Sequence, residues 1–248
     1  MKVSIITICY NRVKTIEKAI QSVLSQDYED IEYIIIDGKS KDGTQQIIEK
    51  YRNQITNYIS EPDNGMYEAI NKGLAIATGD IVGLMHSDDE FYDNNVISKI
   101  AEVFKASNLT EGVYGDGIYI SNDDKEKIIR NRIGGEFSID KIENGWLPLH
   151  PTVYIKKNLI EKYGNYDLQF NIASDTEFLL RYLYKYQIKM TYVNAYFVKM
   201  RIGGLSTSRK RAFEVLKEDF KIYKFHQIFS LKAVLLKKLK TLIQYIKR

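Results

Sequence analysis

The first hundred residues alternate between short apolar runs and segments with apolar residues at helical spacing, and that alternation admits very few folds. Val3–Cys9 (VSIITIC) is an almost unbroken apolar run, as a strand buried on both faces should be. Ile16, Ile20, Val23 and Leu24 then recur at helical spacing. Ile31–Ile36 (IEYIII) predicts a second strand, followed by a polar loop and a helix from about Thr44. Asn57–Ser60 reads as a short third strand, Met66–Ala77 as a helix, Asp80–Met85 as a fourth strand, and Asn94–Lys105 as another helix. Such repetition predicts right-handed crossovers and an α/β fold with a mostly parallel central sheet flanked by helices.

After Glu111 the pattern changes. Val113–Ile120, Lys127–Arg132 and Val153–Ile155 read as shorter, more polar strands, Ser174–Tyr186 as a helix, and Thr191–Val198 as a last strand. Everything beyond reads as amphipathic helix. The net charge of +4 conceals a division. From Arg209 to Arg248 there are 12 Lys+Arg against 3 Asp+Glu, whereas the rest carries 24 against 29. The expected organisation is a catalytic domain over 1–208 and a basic helical tail over 209–248.

Composition excludes several classes. The lone cysteine, Cys9, permits no internal disulfide and no Cys-based zinc site. No apolar stretch is long enough to span a bilayer, and the N-terminal run is too short for a signal peptide, so a cytoplasmic location is expected. Neither a dinucleotide-binding Gly-x-Gly-x-x-Gly nor a P-loop occurs.

The chemistry concentrates where strands end. In open α/β sheets, ligands bind beyond the carboxyl ends of the strands. Tyr10-Asn11-Arg12 closes the first strand, Asp37-Gly38-Lys39-Ser40-Lys41-Asp42-Gly43 the second, and His86-Ser87-Asp88-Asp89 the fourth. Any one of these could be a turn or a helix cap. Parallel packing, however, would gather all three at one edge. Adjacent carboxylates repel unless screened, and hard oxygen ligands suit Mg²⁺ or Mn²⁺ shared with substrate phosphates. A nucleoside diphosphate held through a divalent cation at Asp88, with its base near Tyr10 and Asp37, accounts for all three clusters.

The runs VSIITICYNR, IEYIIIDGKSKDGT and EPDNGMYEAINKGLAIATGDIVGLMHSDD resemble the family 2 inverting glycosyltransferases of GT-A fold, over roughly residues 2–205. The subgroup they most resemble builds O-antigen and capsule polysaccharide. The resemblance implies that Thr7 and Tyr10 lie beside the base and that Asp37 bonds to it. It also implies that Asp88 holds the metal and diphosphate. It carries Asn11, Ser40, Asn64, Lys72, His86 and Ser87 to the donor side as well. His86 stands where most of the family has Asp, and so either ligates the metal or faces the sugar. In the segment Ala173-Ser174-Asp175-Thr176-Glu177 the resemblance makes Asp175 the catalytic base, with Glu177 the alternative. His150 and Arg201 fall on the acceptor or diphosphate side. The implied reaction moves a sugar from a nucleotide donor, UDP by resemblance, to a glycan or lipid-linked acceptor. A sugar nucleotidyltransferase and a non-catalytic nucleotide-sugar binder are the alternatives.

In the tail, Ile228, Leu231, Leu235, Leu239, Leu242 and Ile246 line one helical face, with Lys237, Lys240, Lys247 and Arg248 around the other side. A basic amphipathic helix predicts contact with the inner surface of the cytoplasmic membrane; packing on its own domain or a homodimer is the alternative. Nucleic acid is not expected as a partner, because the basic charge lies outside the catalytic domain.

Overall fold

The computed structural model describes residues 1–123, 126–202, 212–229 and 231–237. In chain order the elements are β1 (Val3–Cys9), α1 (Ile16–Leu24), β2 (Ile31–Asp37), α2 (Thr44–Lys50), β3 (Asn57–Ser60), α3 (Met66–Ile76) and β4 (Ile81–Leu84). There follow β5 (Asp89–Phe91), α4 (Val96–Ala106), β6 (Gly112–Ile120), β7 (Ile128–Arg132) and α5 (Ile139–Glu143). The chain continues through β8 (Tyr154–Lys156), α6 (Lys157–Tyr163), α7 (Ser174–Leu180), β9 (Met190–Arg201) and α8 (Ala212–Phe225). Residues 231–237 are again helical.

All nine strands join one sheet, with β3, β2, β1, β4, β8, β6, β9 and β5 side by side and β7 on β6. The β3-β2-β1-β4 half is parallel. β8 then inserts antiparallel between β4 and β6, and β9 runs parallel to β6. The parallel half matches the sequence expectation. The three-residue β5 does not, because DEF carries no apolar run. It exists through its antiparallel pairing with β9, which lies more than a hundred residues away.

Strand alternation divides the core in two. Ile6, Ile34, Ile36, Val82 and Leu84 face α3, α6 and α7. Val3, Ile5, Tyr33, Ile35 and Ile81 face α1 and α4. Gly73 lets α3 settle onto β1, since a Cβ there would lie 2.5 Å from Ile6 Cγ2. At the amino ends of the strands, buried Glu32 accepts from Ser4 Oγ (2.5 Å), Thr78 N–H (2.7 Å) and Thr78 Oγ1 (2.8 Å). Burial alone would raise that carboxyl, but these hydrogen bonds hold it below the usual range. The Thr78-Gly79 part of the family-like pattern is therefore scaffolding, remote from the chemistry.

The boundary expected at 208/209 lies outside the described residues. The segment beyond it packs on the first core through Ile222, Tyr223, Ile228, Ala233 and Val234. Of the expected apolar tail face, Ile228 is buried while Leu231 and Leu235 are exposed. Lys237 is drawn inward to Asp219 Oδ1 at 2.7 Å. The remaining members of both faces, Leu239, Leu242, Ile246, Lys240, Lys247 and Arg248, lie outside the described residues. Among the described residues, no helix is long and apolar enough to cross a membrane.

Candidate active site

Parallel register brings the predicted strand ends together: Cys9 pairs with Asp37, Asp37 with Ser60, and Ile6 with Leu84. Tyr10 leaves β1 with its ring 58% exposed, and Asn11 turns the chain in the left-handed region at φ 54°. Asn11 N–H donates to Ser40 Oγ at 2.8 Å, and Asn11 Oδ1 accepts from Lys41 N–H at 2.9 Å. The first two clusters are thus one interlocked loop pair.

Asp37 is fully buried, and it organises this pair from beneath. Its carboxylate accepts the Ser40 N–H at 3.1 Å, the Ser60 hydroxyl at 2.6 Å, and the Ser40 hydroxyl. The Cys9 thiol completes the shell at 3.6 Å. A carboxylate so enclosed shapes the loop first. Thr7 is likewise wholly buried, on the face opposite Tyr10, with its hydroxyl 3.1 Å from Tyr33 OH.

A carboxylate overlooked in the sequence does reach this edge. Asp63 lies against Gly38, where an added Cβ would meet Asp63 Oδ2 at 2.7 Å and Tyr10 Cδ2 at 3.2 Å. Burial pushes its carboxyl upward, although the Gly65 N–H partly offsets this. Tyr10, Gly38 and Asp63 together make a flat wall with one polar corner, suited to a planar base. Asn64 and Lys72 stand just behind. Asn64 is tied to Glu68 Oε2 at 2.7 Å, and Lys72 to Glu61 at 2.9 Å and the Pro62 carbonyl at 2.9 Å. Both brace the loop between β3 and α3.

Beyond β4, His86-Ser87-Asp88 forms a turn closed by Asp89 N–H to the His86 carbonyl at 3.1 Å. Ser87 is buried and Asp88 half-exposed. Asp89 points inward, and burial together with the Asp88 charge raises its carboxyl far above the usual range. Asp88 is therefore the carboxylate offered to ligand. Among the described residues, no group of three or more His, Cys, Asp or Glu side chains forms a metal cage. One open carboxylate fits a cation whose other ligands are phosphate oxygens and water. His86 adds no bond to such a cage. Burial lowers its imidazole pKa against the opposing pull of Asp88 and Asp175.

Asp175 is joined to the donor half through α3. Asp175 is the second residue of α7, and its Oδ1 accepts Tyr67 OH at 3.3 Å. Tyr67 also donates to the Ile172 carbonyl at 3.0 Å and stacks on Tyr166, with ring centroids 5.7 Å apart. Tyr166 OH lies 2.6 Å from His150 Nε2, and the His150 ring is 6.1 Å from that of His86. Asn71 pins this loop to α3 by exchanging amide bonds with Tyr166 at 2.8 and 3.0 Å. Hydrogen bonds and ring contacts thus connect Asp175 to His150 and His86, two residues before Asp88, along one cleft. Tyr67 and Tyr166, which sequence reading passed over, line it with them.

Glu177 and Arg201 turn elsewhere. Glu177 is buried and bonds to Arg181 Nε and Nη2, both at 3.0 Å, with His226 Nε2 at 3.4 Å. The alternative base is thus engaged in a buried ion pair within its own helix. Arg201 is clamped between Glu90 at 2.7 Å and Glu126 at 2.6 Å, which ties β9 to β5 and fixes the strand that starts at Asp89.

A cleft with a polar base-sized wall, an exposed carboxylate at the sheet edge and a second carboxylate facing it is the arrangement of a nucleotide-sugar transferase. The profile described as Glycosyl transferase family 2 matches residues 4–171. An uncharacterised glycosyltransferase of Mycobacterium tuberculosis is 34% identical over 184 residues, covering 72% of this chain and 68% of that protein. The chain belongs to glycosyl transferase family 2 and is a transferase enzyme of GT-A fold. A PGL/p-HBAD biosynthesis glycosyltransferase of Mycobacterium bovis is 24% identical over 209 residues, covering 83% of this chain and 79% of that one. The fold is shared with residues 1–349 of Staphylococcus aureus TarS in complex with UDP-GlcNAc, at TM-score 0.69 and 20% identity, covering 90% of this chain and 65% of that one. This chain spans only 39% of the longer TarS chain. A Pyrobaculum calidifontis mannosyltransferase in complex with GDP-Man and Mn²⁺ matches at TM-score 0.69 and 17% identity, covering 94% of this chain and 69% of that one.

Proposed function

We propose that the enzyme transfers a sugar with inversion from a UDP-sugar to a hydroxyl of a glycan or lipid-linked acceptor in cell-surface polysaccharide synthesis. The observation that carries this reading is Asp175: of the two carboxylates in the first turn of α7 it alone faces the cleft, held by Tyr67. Asp175 takes the acceptor proton as the acceptor oxygen attacks the anomeric carbon. The bond from that carbon to the diphosphate breaks, and its electron pair leaves with the nucleoside diphosphate. A divalent cation bound by Asp88 and the diphosphate would neutralise the charge that develops there. Tyr10 and Asp63 flank the base, while His86 and His150 line the side toward the sugar. Asp175→Asn should reduce transfer at least 10³-fold, on the order expected for a lost base and its positioning, and leave UDP binding unchanged. The assay is nucleoside diphosphate release from a panel of UDP-, GDP- and dTDP-sugars with lipid extract as acceptor source. Near-native transfer by that variant would sink the reading.

The same enzyme would act at an anionic membrane surface. Support comes from Phe213, Phe220, Phe225, Phe229, Leu231 and Leu235, all exposed on α8, the helix after it and the link between them. Exposed Lys217, Lys221, Lys224 and Lys232 are interleaved with them. Apolar side chains ringed by lysines suit the headgroup boundary of anionic lipid. Phe220→Ser with Phe229→Ser should cut flotation with phosphatidylglycerol vesicles about tenfold, the scale expected for two lost aromatic anchors. Unchanged flotation would refute this docking face.

A further inference from the structure

Asp175 reaches the cleft because its neighbours are held from behind by residues beyond 208. Three successive backbone N–H groups lead into α7, and one side chain satisfies all of them. Glu218 Oε1 accepts Asn171 N–H at 3.0 Å, and Glu218 Oε2 accepts Ile172 N–H at 2.8 Å and Ala173 N–H at 2.6 Å. Ala173 at the head of α7 has no side chain to cap it, and within the first turn Asp175 Oδ1 accepts Thr176 N–H at 2.8 Å. The residues after Asp175 are held from the same side. Lys237 Nζ donates to Thr176 Oγ1 at 3.0 Å and to Asp219 at 2.7 Å, while His226 meets Glu177 at 3.4 Å.

We propose that Glu218 is a positioning residue for the catalytic base: by fixing three consecutive backbone N–H groups it sets where α7 begins and aims the Asp175 carboxylate at the acceptor. This rests on the reading of Asp175 as the base. The opposite carbonyl edge of the same loop receives Tyr67 OH at the Ile172 oxygen, 3.0 Å away. The loop is therefore gripped from α8 on one side and from α3, which carries the donor half, on the other. Without Glu218 the first grip is lost and the second remains. The loop stays attached while the orientation of Asp175 becomes loose. Such loosening touches the chemical step and leaves the nucleotide wall untouched, because Tyr10, Gly38 and Asp63 stand on the loops that follow β1, β2 and β3.

The test compares Glu218→Gln, Asp175→Asn and the double variant in the full chain. Glu218→Gln keeps one carbonyl oxygen for the loop but loses the second acceptor. It should lower kcat about 10- to 100-fold, the cost of misplacing a reacting group by about an ångström. The donor KM and the Mn²⁺–UDP affinity should stay within twofold. Hydrogen exchange at the amides of Asn171, Ile172 and Ala173 should quicken, with the rest of the chain unchanged. The double variant should be no slower than Asp175→Asn alone, because the two residues act as one unit. A native kcat in Glu218→Gln despite quickened exchange overturns the proposal. So does a loss shared equally by kcat, nucleotide affinity and melting temperature, which marks a merely structural contact. If Glu218→Gln does not fold, Glu218→Asp, which keeps the charge on a shorter arm, carries the same comparison. Near-native turnover by Asp175→Asn instead removes the base assignment itself, a failure read in a different variant.

Discussion

Replacing Glu177 by Gln separates the two carboxylates of α7 that sequence alone leaves in competition. Glu177 is 2% exposed and makes two 3.0 Å bonds to Arg181, which is itself only 12% exposed. Removing one partner of a buried pair typically costs about 3–5 kcal/mol, because the other charge is stranded. Arg181 would not be wholly stranded. It also donates to the carbonyls of Tyr163, Gly164 and Asn165, and it lies over the rings of Phe178 and Tyr182. The substituted side-chain amide would also retain one acceptor oxygen. The expected loss is therefore about 2–3 kcal/mol, or about 5–10 °C in melting temperature for a chain of this size. The pH dependence adds a second check. Burial pushes the Glu177 carboxyl up, but His226 and Arg181 pull it further down, so its folded pKa lies below the ordinary value. Stability from a depressed carboxyl is present above its unfolded pKa of about 4.3 and lost as the pH falls below it. The gap between wild type and Glu177→Gln should accordingly close below about pH 4. Thermal unfolding followed by circular dichroism reads both effects, and kcat at a temperature where the variant is folded should stay within twofold. A hundredfold loss of kcat in the folded variant would refute the reasoning and move the base to Glu177.

Two further outcomes follow from the cleft. Asp88→Ala should abolish the Mn²⁺-dependent part of UDP binding in calorimetric titration, and identical titrations with and without the substitution would count against the metal role. His150 is depressed to about 3, first by burial and then by neighbouring His86. The native state thus refuses a proton that the unfolded chain accepts below about pH 6.5, and stability should fall by up to about 1.4 kcal/mol per pH unit on acidification from there. His150→Gln should flatten that slope between pH 6.5 and 4 in urea unfolding; an unchanged slope would show that another group is responsible.

The parallel half of the fold was legible because strands buried on both faces must be apolar without interruption, as VSIITIC and IEYIII are. The strand-end clusters were legible for the same reason, since parallel register fixes which ends meet. What failed concerns partners distant in sequence. Thr7 and Tyr10 are close in sequence, yet only the strand's alternation sends one to the core and the other to the cleft. Asp175 and Glu177 lie about 200° apart on a helix, and a sequence names no side as the cleft. One signal did exist: Arg181 stands four residues after Glu177, the spacing of an internal ion pair. In the tail, periodicity announced two faces but not which one was covered. Lys237 looked solvated because its partner Asp219 is eighteen residues earlier, on another helix. Asp63 and Tyr67 stood inside the run EPDNGMYEAI without a role read for either, and Tyr166 lay in no motif at all.

The insertion of Glu218 beneath residues 171–173 bears on how relatives of this chain can be recombined. The segment shared with the family profile stops at residue 171, at the first of the three amides that Glu218 holds. A hybrid joined at that point would take its nucleotide wall from one parent and both the base and its anchor from the other. The halves would then meet through β9 on β6 and β5, through the shared first core, and through the Tyr67 bonds to Ile172 and Asp175. A hybrid joined after α7 would instead divide Asp175 from Glu218, and with them the aim of the base. The workable crossover therefore lies where Glu218 and the three amides it holds stay within one parent.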